Sequence, residues 1–206
     1  LSQLTQKIIV NNFRQNDILN GGEGAPLTPI FHQLIAAQNR LVLPLCILNI
    51  GGISNITIID DVTKSSGIVS RDIGPGNCLI DSWVRKNSNK NFDIDGLFAS
   101  SGSVNKIILE QGQELFSNRT NQNILSFDVN DFDVSFVRGL SLVDGAATLT
   151  DFTARIIGTT ISSLMIKVNK PCKVMICGGG RKNKTLIKAI KSYTEKNISF
   201  EPIDKY

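Results

Sequence analysis

Two apolar runs joined by a pair of glycines constrain the fold of this chain more strongly than any other segment. The first run, 43–50, ends at Gly51 and Gly52, and a β-branched run follows at 53–59. This pattern predicts a β-hairpin, since glycine tolerates the backbone angles of a tight turn. Short uncharged side chains flank it: Asn49, Ser54 and Asn55. Because such a turn exposes amides to an anion, the residues leave two interpretations open, a phosphate-binding turn and an ordinary hairpin turn.

Composition places the chain among soluble globular proteins. Its 206 residues are 41% hydrophobic, enough for a sizeable core in one elaborated domain or in one domain plus a fragment. No apolar run approaches the ~18 residues of a membrane helix, and the N-terminus lacks a signal-peptide pattern. We therefore expect a cytoplasmic protein without a membrane partner.

Charge and cysteine content narrow the function classes further. The net charge is +4, and the basic residues do not alternate with aromatic ones, so a nucleic-acid partner is not expected. Four cysteines form no C-x-x-C pair and there is a single histidine, which argues against a zinc site. Apolar surroundings predict that three of the cysteines are buried, reduced thiols of a cytosolic protein.

The first 40 residues predict a short strand at 7–10, a polar loop that contains Asp17, and a helix. The helix follows the glycine-rich stretch 21–26, and Pro26 fits its first turn. Apolar residues recur at helical spacing on its predicted inner face: Leu27, Ile30, Phe31, Leu34 and Ile35. The glycine-rich stretch fits an anion site at a helix N-terminus and a flexible linker equally well.

The middle of the chain continues the hairpin into an antiparallel meander, because an alternating strand at 67–71 follows a short turn. A second glycine-containing junction, 72–77, then opens a helix that contains Trp83. The polar stretch 87–101 is predicted to be a solvated loop. Two later helices are expected to begin at caps provided by Ser103 and Asp144.

The last part of the chain predicts a β-α-β unit. A strand at 173–177, glycines at 178–180, a helix and a strand at 198–202 follow one another. A dinucleotide-binding fragment is an alternative, but no G-x-G-x-x-G follows the strand. The preceding meander is also foreign to a purely parallel sheet.

Taken together, this element order resembles the actin-like (ribonuclease H-like, hexokinase-like) ATPase fold. That fold is α/β, with a mixed sheet of an antiparallel meander followed by β-α-β and with helices on both faces. Five blocks resemble, in family order, the signatures of anhydro-N-acetylmuramic acid kinases: 22–32 (GEGAPLTPIFH), 48–55 (LNIGGISN), 72–83 (DIGPGNCLIDSW), 147–150 (ATLT) and 176–180 (ICGGG).

The resemblance implies an ATP- and Mg²⁺-dependent kinase of bacterial cell-wall recycling. Such a kinase converts 1,6-anhydro-N-acetylmuramic acid into N-acetylmuramic acid 6-phosphate. Asp17 matches the family's catalytic base, which takes a proton from the attacking water. The implied phosphate and adenosine contacts are Gly51, Gly52, Ser54, Asn55, Gly178, Gly179 and Gly180. The implied sugar contacts are Gly74, Gly76, Asn77 and Thr148, and no metal ligands are implied.

Departures from the family pattern predict an incomplete enzyme. Residues 1–40 match the end of the N-terminal lobe and an inter-lobe segment, and 41–206 match a truncated C-terminal ATPase lobe. The family's Gly-Thr-Ser phosphate loop and its C-terminal segment have no counterpart here. Asn12 replaces an Asp, Glu23 replaces a Gln, and 116–121 replaces a Pro-Lys-Ser-Thr-Gly-Arg-Glu segment.

A cleft enzyme without one wall cannot preorganise its transition state, so we expect little activity from these 206 residues alone. The expected partners are the sugar and either a complementing N-terminal lobe or a second copy of the chain. The alternative function is a non-catalytic nucleotide-binding module that pairs with another chain.

Overall fold

The computed structural model describes residues 1–22, 24, 27–120, 127–165 and 172–205. Three residues of the predicted glycine-rich helix entry, Glu23, Ala25 and Pro26, lie outside the described residues. Asn121, at the end of the departing segment 116–121, also lies outside them.

A five-stranded mixed sheet forms the centre of the molecule. Its strands are β1 (Leu45–Ile50), β2 (Ile53–Ile59), β3 (Ile68–Pro75), β4 (Cys172–Cys177) and β5 (Ile198–Pro202). The spatial order is β3-β2-β1-β4-β5. The β1–β2 and β2–β3 pairs are antiparallel, whereas β1–β4 and β4–β5 are parallel. The predicted meander and β-α-β unit are therefore confirmed.

Eight α-helices lie within the described residues. They are α1 (Ser2–Thr5), α2 (Phe13–Leu19), α3 (Pro29–Gln38), α4 (Cys78–Asn87), α5 (Leu97–Ser101), α6 (Lys106–Thr120), α7 (Leu142–Met165) and α8 (Lys184–Ser192). Short 3-10 turns include Ile94–Gly96, Val129–Asp131 and Gly179–Lys182. None of these helices combines the length and the hydrophobicity that crossing a membrane requires.

The larger core lies between one face of the sheet and α4 to α8. Side chains of a strand alternate between faces, and Cys46, Leu48 and Ile50 of β1 all point into this core. The long helix α7 supplies many of its partners, including the fully buried Leu149 and Ile157. Each such side chain contributes about 1.5–3 kcal/mol through its removal from water.

The opposite face of the sheet carries a smaller core, to which α3 contributes Ala36. Leu45 and Ile47 of β1 pack there with Ile59 and Met175. A buried polar contact joins the same helix to the sheet, because His32 Nδ1 lies 2.9 Å from Thr57 Oγ1. Helices thus cover both faces, as the sequence predicts.

The structure corrects two predictions in the first 40 residues. Residues 7–10 form no strand; they lie between α1 and α2. The predicted inner face of this helix is also wrong, since Ile30, Phe31 and Leu34 of α3 are exposed, as is Leu27 just before it. The small side chain of Ala36 lets the helix approach the sheet, and the large apolar residues point away from it.

Both predicted helix caps lie close to the true ones but not at them. Asn105, not Ser103, caps α6, because its Oδ1 accepts a hydrogen bond from Ile108 N at 3.1 Å. Ser141 precedes α7, and its Oγ accepts from Asp144 N at 3.1 Å. Asp144 instead ties two segments together by accepting from Ser103 N at 2.8 Å.

Candidate functional site

The parallel pairing of β1 with β4 brings two glycine turns to the same edge of the sheet. Asn49 lies opposite Cys177, so the turn after β1 and the turn after β4 begin side by side. Gly178 has φ +79°, and a Cβ at this position would lie 2.5 Å from Ile50 O and from Asn49 Oδ1. Only glycine fits this close approach of the two backbones.

The junction between β3 and α4 packs against the glycine turn that follows β1. Gly76 N and Asn77 N donate hydrogen bonds of 2.8 Å to Gly52 O and Gly51 O, respectively. A Cβ on Gly76 would lie only 2.3 Å from Gly51 O. The Asn77 side chain adds a bond from Nδ2 to Gly51 O at 3.1 Å.

Gly180 completes the convergence, since a Cβ there would lie 2.3 Å from Ile50 Cγ2 and 3.1 Å from Asn77 Oδ1. We call this assembly the glycine corner: Gly51, Gly52, Gly76, Asn77 and Gly178–Gly180. The Arg181 side chain supports it by donating to Gly178 O at 2.9 Å while pairing with Asp204 at 2.8 Å.

Only some amides of the glycine corner are available to a ligand. Gly51 N donates to Ile53 O at 3.2 Å, and Gly76 N and Asn77 N are occupied as described above. Gly52 and Gly179 are exposed, and their amides donate to no group in the described part of the chain. An anion at this corner would therefore be bound mainly by the Gly52 and Gly179 amides.

Ser54 and Asn55 lie beside the corner rather than at its open side. Ser54 is fully buried and donates from Oγ to Pro75 O at 3.2 Å. Asn55 is half-buried, opposite Asn49 on β1 and Asp72 on β3. In this conformation Ser54 braces the junction to β3, and its hydroxyl is not presented to solvent.

Gly74 and Thr148, two of the sugar contacts that the resemblance implies, are packed in the core. A Cβ on Gly74 would lie 2.9 Å from Ile156 Cγ2 and 3.2 Å from the Phe116 ring. Thr148 is fully buried on α7; its Oγ1 donates to Asp144 O at 2.8 Å and accepts from Asn105 N at 3.0 Å. These contacts hold α6 and β3 against α7.

Asp17 lies on α2 and is half-buried among glycines. Its Oδ2 accepts a hydrogen bond from Gly24 N at 2.7 Å, and its carboxylate occupies the space that a Cβ on Gly22 would need. Among the described residues, the hydrogen bonds of this carboxylate stay within the segment 17–24 and do not reach the glycine corner.

A cavity of about 300 Å³ opens next to Gly179. We call it the side cavity, and its lining includes Asn77, Asp81, Phe92, Asp95, Gly179 and Lys182. The cavity was not predicted, because 87–101 reads as a solvated loop. Asp93 in this loop is buried and accepts from Phe98 N at 2.8 Å and Ala99 N at 3.0 Å, so the loop is ordered by an internal cap.

Three aspartates, Asp81, Asp93 and Asp95, line the side cavity together with Lys182, and Asp95 pairs with Lys184 Nζ at 3.8 Å. Burial raises the pKa of Asp81 to about 6; nearby Arg85 opposes this shift and Asp93 adds to it. Among the described residues, no group of three or more His, Cys, Asp or Glu side chains could hold a metal ion.

The fold is that of the actin-like ATPases, with three glycine segments at one corner of the sheet. Among solved structures, the chain is similar to the activator of 2-hydroxyisocaproyl-CoA dehydratase from Clostridium difficile, which was solved with bound ADPNP. The TM-score is 0.50 at 13% identity, covering 84% of this chain and 59% of that one.

The chain belongs to the anhydro-N-acetylmuramic acid kinase family, whose model matches residues 1–204. It is 48% identical to the anhydro-N-acetylmuramic acid kinase of Pelagibacter ubique and 36% identical to that of Zymomonas mobilis. Both alignments cover 100% of this chain but only 55% and 54% of the relatives. The chain thus spans about half the length of the relatives it matches.

Proposed function

We propose that these residues form the nucleotide-binding half of a kinase that opens and phosphorylates 1,6-anhydro-N-acetylmuramic acid with ATP. The observation that carries the proposal is the glycine corner, where three segments far apart in sequence meet in one place. Family membership supplies the sugar substrate and the product, N-acetylmuramic acid 6-phosphate. Four free cysteines fit a cytoplasmic site of action, where ATP is available and thiols stay reduced.

In this proposal the corner binds the phosphates of ATP. The Gly52 and Gly179 amides are the donors, and Gly51, Gly76 and Asn77 fix their positions through the hydrogen bonds between their own backbones. Mg²⁺ would neutralise the phosphate charge when bound. Buried Ser54 and the neighbouring Asn55 lie beside the corner on β2 and would help to hold its backbone in place.

Asp17 is the general base of the proposed reaction. Its carboxylate takes the proton from a water molecule that attacks the anomeric carbon, and the bond from that carbon to the bridging oxygen breaks. The released oxygen attacks the γ-phosphate, and ADP leaves. Among the described residues, Gly24 N donates to Oδ2, and the other carboxylate oxygen, Oδ1, is left to accept this proton.

We further propose that residues 1–40 connect to a complementing N-terminal lobe and that 41–206 is the ATPase lobe. The first 40 residues expose many large apolar side chains: Leu1, Leu4, Ile8, Val10, Phe13, Leu19, Ile30, Phe31 and Leu34. Large apolar side chains left exposed in such number are typical of a segment that packs against a partner. A second copy of the chain is the competing occupant of this surface.

Calorimetry and a coupled kinase assay test the proposal. We expect the 206-residue chain to bind ATP with little or no turnover. Turnover should appear when the part of the Pelagibacter ubique relative that this chain does not cover is co-expressed with it. As a matched control, Asp17→Asn should abolish that turnover while leaving ATP binding intact. Appreciable turnover of anhydro sugar by the isolated chain would contradict the need for a complementing lobe.

A non-catalytic nucleotide-binding module is the second candidate function. One observation favours it: the described hydrogen bonds of Asp17 remain within its own glycine-rich segment, away from the corner. ATP binding without turnover, even in the presence of the complementing lobe, would support this candidate over the kinase.

A further inference from the structure

Four phenylalanine rings surround a second cavity, which the proposed kinase reaction does not use. We call it the aromatic cavity; it has a volume of about 200 Å³ and lies between α6, α7 and the segment 131–136. We propose that it is an effector site for a small molecule that carries an apolar ring and an amino group. The site itself does not depend on the proposed function, whereas its effect on ATP binding rests on that function.

The walls of the aromatic cavity are preformed by packed rings. Phe152 is buried on α7, and its ring centroid lies 6.1 Å from that of Phe116 and 5.3 Å from that of Phe136. Phe132 stacks against Phe116 at 6.3 Å. Protein interiors rarely leave voids larger than a water molecule, and an apolar cavity of roughly 150 Å³ is large enough to hold benzene. The space between these rings therefore suits one further ring with a short side chain.

The polar groups of the aromatic cavity determine which substituent the ring carries. Asp131 and Asp133 line it, and no basic side chain in the described part of the chain does. Hydrogen bonds from Ser135 lower the pKa of Asp133, and exposed Lys86 lowers it further. Lys86 and Arg138 line a separate cavity that shares Asp133 and Ser135, so they offset part of the negative charge from outside.

A carboxylate is an acceptor with several lone pairs, and Asp133 can accept from an amino group as well as from Ser135 N, which lies 3.2 Å away. A ring that carries a carboxylate would instead bring like charges together. The lining therefore favours an amine over an acid of the same size.

One short turn connects the aromatic cavity with the glycine corner. Asp131 lines the cavity, and Val129, at the other end of the same 3-10 turn, lies with its Cγ2 3.4 Å from the place of a Cβ on Gly52. The turn is braced internally, since Asp128 N donates to Asp131 Oδ2 at 2.7 Å and Asn130 N donates to Asp128 Oδ1 at 2.9 Å. A ligand that shifts or fixes Asp131 therefore acts on Val129 beside the open Gly52 amide.

The first test compares two compounds that share a phenyl ring and a two-carbon linker. Ligand-observed NMR with the full 206-residue chain should show 2-phenylethylamine binding about threefold tighter than 3-phenylpropionate, the size expected for one partly exposed charge pair. Binding of the carboxylate as tightly as the amine, or of neither compound, would overturn the inference.

Two substitutions on α6 locate the bound amine. Leu115 lines the aromatic cavity and is 64% exposed, so Leu115→Ala should weaken 2-phenylethylamine binding about threefold without unfolding the chain. The matched control is Ile107→Ala, because Ile107 is 73% exposed on the same helix but does not line this cavity. Equal affinity in Leu115→Ala and wild type would place the amine elsewhere and overturn the inference.

The last test measures ATP affinity by calorimetry with and without saturating 2-phenylethylamine. The affinity should change at least about fivefold, the lower end of typical coupling between two sites, and Ile107→Ala should show the same change as wild type. Unchanged ATP affinity while NMR shows the amine bound would overturn the effector role and leave the proposed function standing. Amine binding by a chain that binds no ATP would overturn the proposed function and the effector role together.

Discussion

Individual glycines at the corner differ sharply in what they can tolerate. A Cβ on Gly180 would lie 2.3 Å from the buried Ile50, whereas a Cβ on Gly179 would meet nothing closer than Asn77 Nδ2 at 4.0 Å. The sequence does not distinguish Gly178, Gly179 and Gly180, because the three residues are identical and consecutive. The structure separates them into two that pack against β1 and one that faces solvent.

We therefore expect Gly180→Ala to lower the free energy of unfolding by about 1–3 kcal/mol through overpacking. Gly179→Ala, its neighbour and matched control, should change stability by less than about 0.5 kcal/mol. Urea denaturation of the two variants checks this. Equal destabilisation by both substitutions would show that the turn does not pack against Ile50 as described.

Residue roles that depend on packing were the hardest to predict. Thr148 sits in a block that resembles the kinase family, yet its hydroxyl is used inside the core by Asp144 and Asn105. Asp81 lies in another such block, but its place in a cavity depends on the fold of residues 92–95, some ten positions further along. Local sequence patterns carry no signal for contacts of this kind.

Among the elements, α3 was correctly predicted as a helix, but the face predicted to be buried was the wrong one. The spacing of its apolar residues predicted a helix, and a helix is present at Pro29–Gln38. Its inner side instead carries Ala36 and His32. The strands were easier to predict, because alternation and glycine turns fix β1, β2 and β3 locally, whereas the face of a helix depends on what lies across from it.

His32 makes the attachment of α3 to the sheet sensitive to pH. Burial lowers the pKa of His32 below its usual value of 6.5, so the folded protein binds this proton less readily than the unfolded chain. The contribution of the neutral ring is fully present above 6.5 and is lost as the pH falls through the folded-state pKa.

Acidification below 6.5 should therefore loosen α3, and His32→Gln should remove that part of the pH dependence. Urea midpoints of wild type and variant, compared at neutral and mildly acidic pH, measure the difference. An identical acid-induced loss in both proteins would mean that another group is responsible. The variant serves as its own control at neutral pH, where both side chains are uncharged.

At the scale of the whole molecule, helices cover the two faces of the sheet to different extents. One face is sealed by α4 to α8, while α3 covers part of the other and presents Phe31 and Leu34 to solvent, at 61% and 53% exposure. The mixed sheet could be predicted from the order of its elements. The exposed apolar surface of α3 could not be predicted, because it depends on which side of the helix packs against the sheet.

A double substitution, Phe31→Ser with Leu34→Ser, should weaken association with the complementing lobe at least tenfold. It should leave the stability of the isolated chain nearly unchanged, because exposed side chains contribute little to folding. Co-purification and denaturation of the same variant measure the two effects. The matched control is Val69→Ser, which removes an equally exposed apolar side chain from β3 instead of α3. Undiminished co-purification of the double variant would show that the lobe docks elsewhere.

The carbonyls of Gly51 and Gly52 receive three amides from residues 76–78, which fastens the hairpin turn to the start of α4. A corner tied in this way cannot swing open as a gate. If release of the nucleotide product is slow, the motion that limits it must therefore lie elsewhere in the protein. The turnover rate would then depend on how often that other part of the site opens.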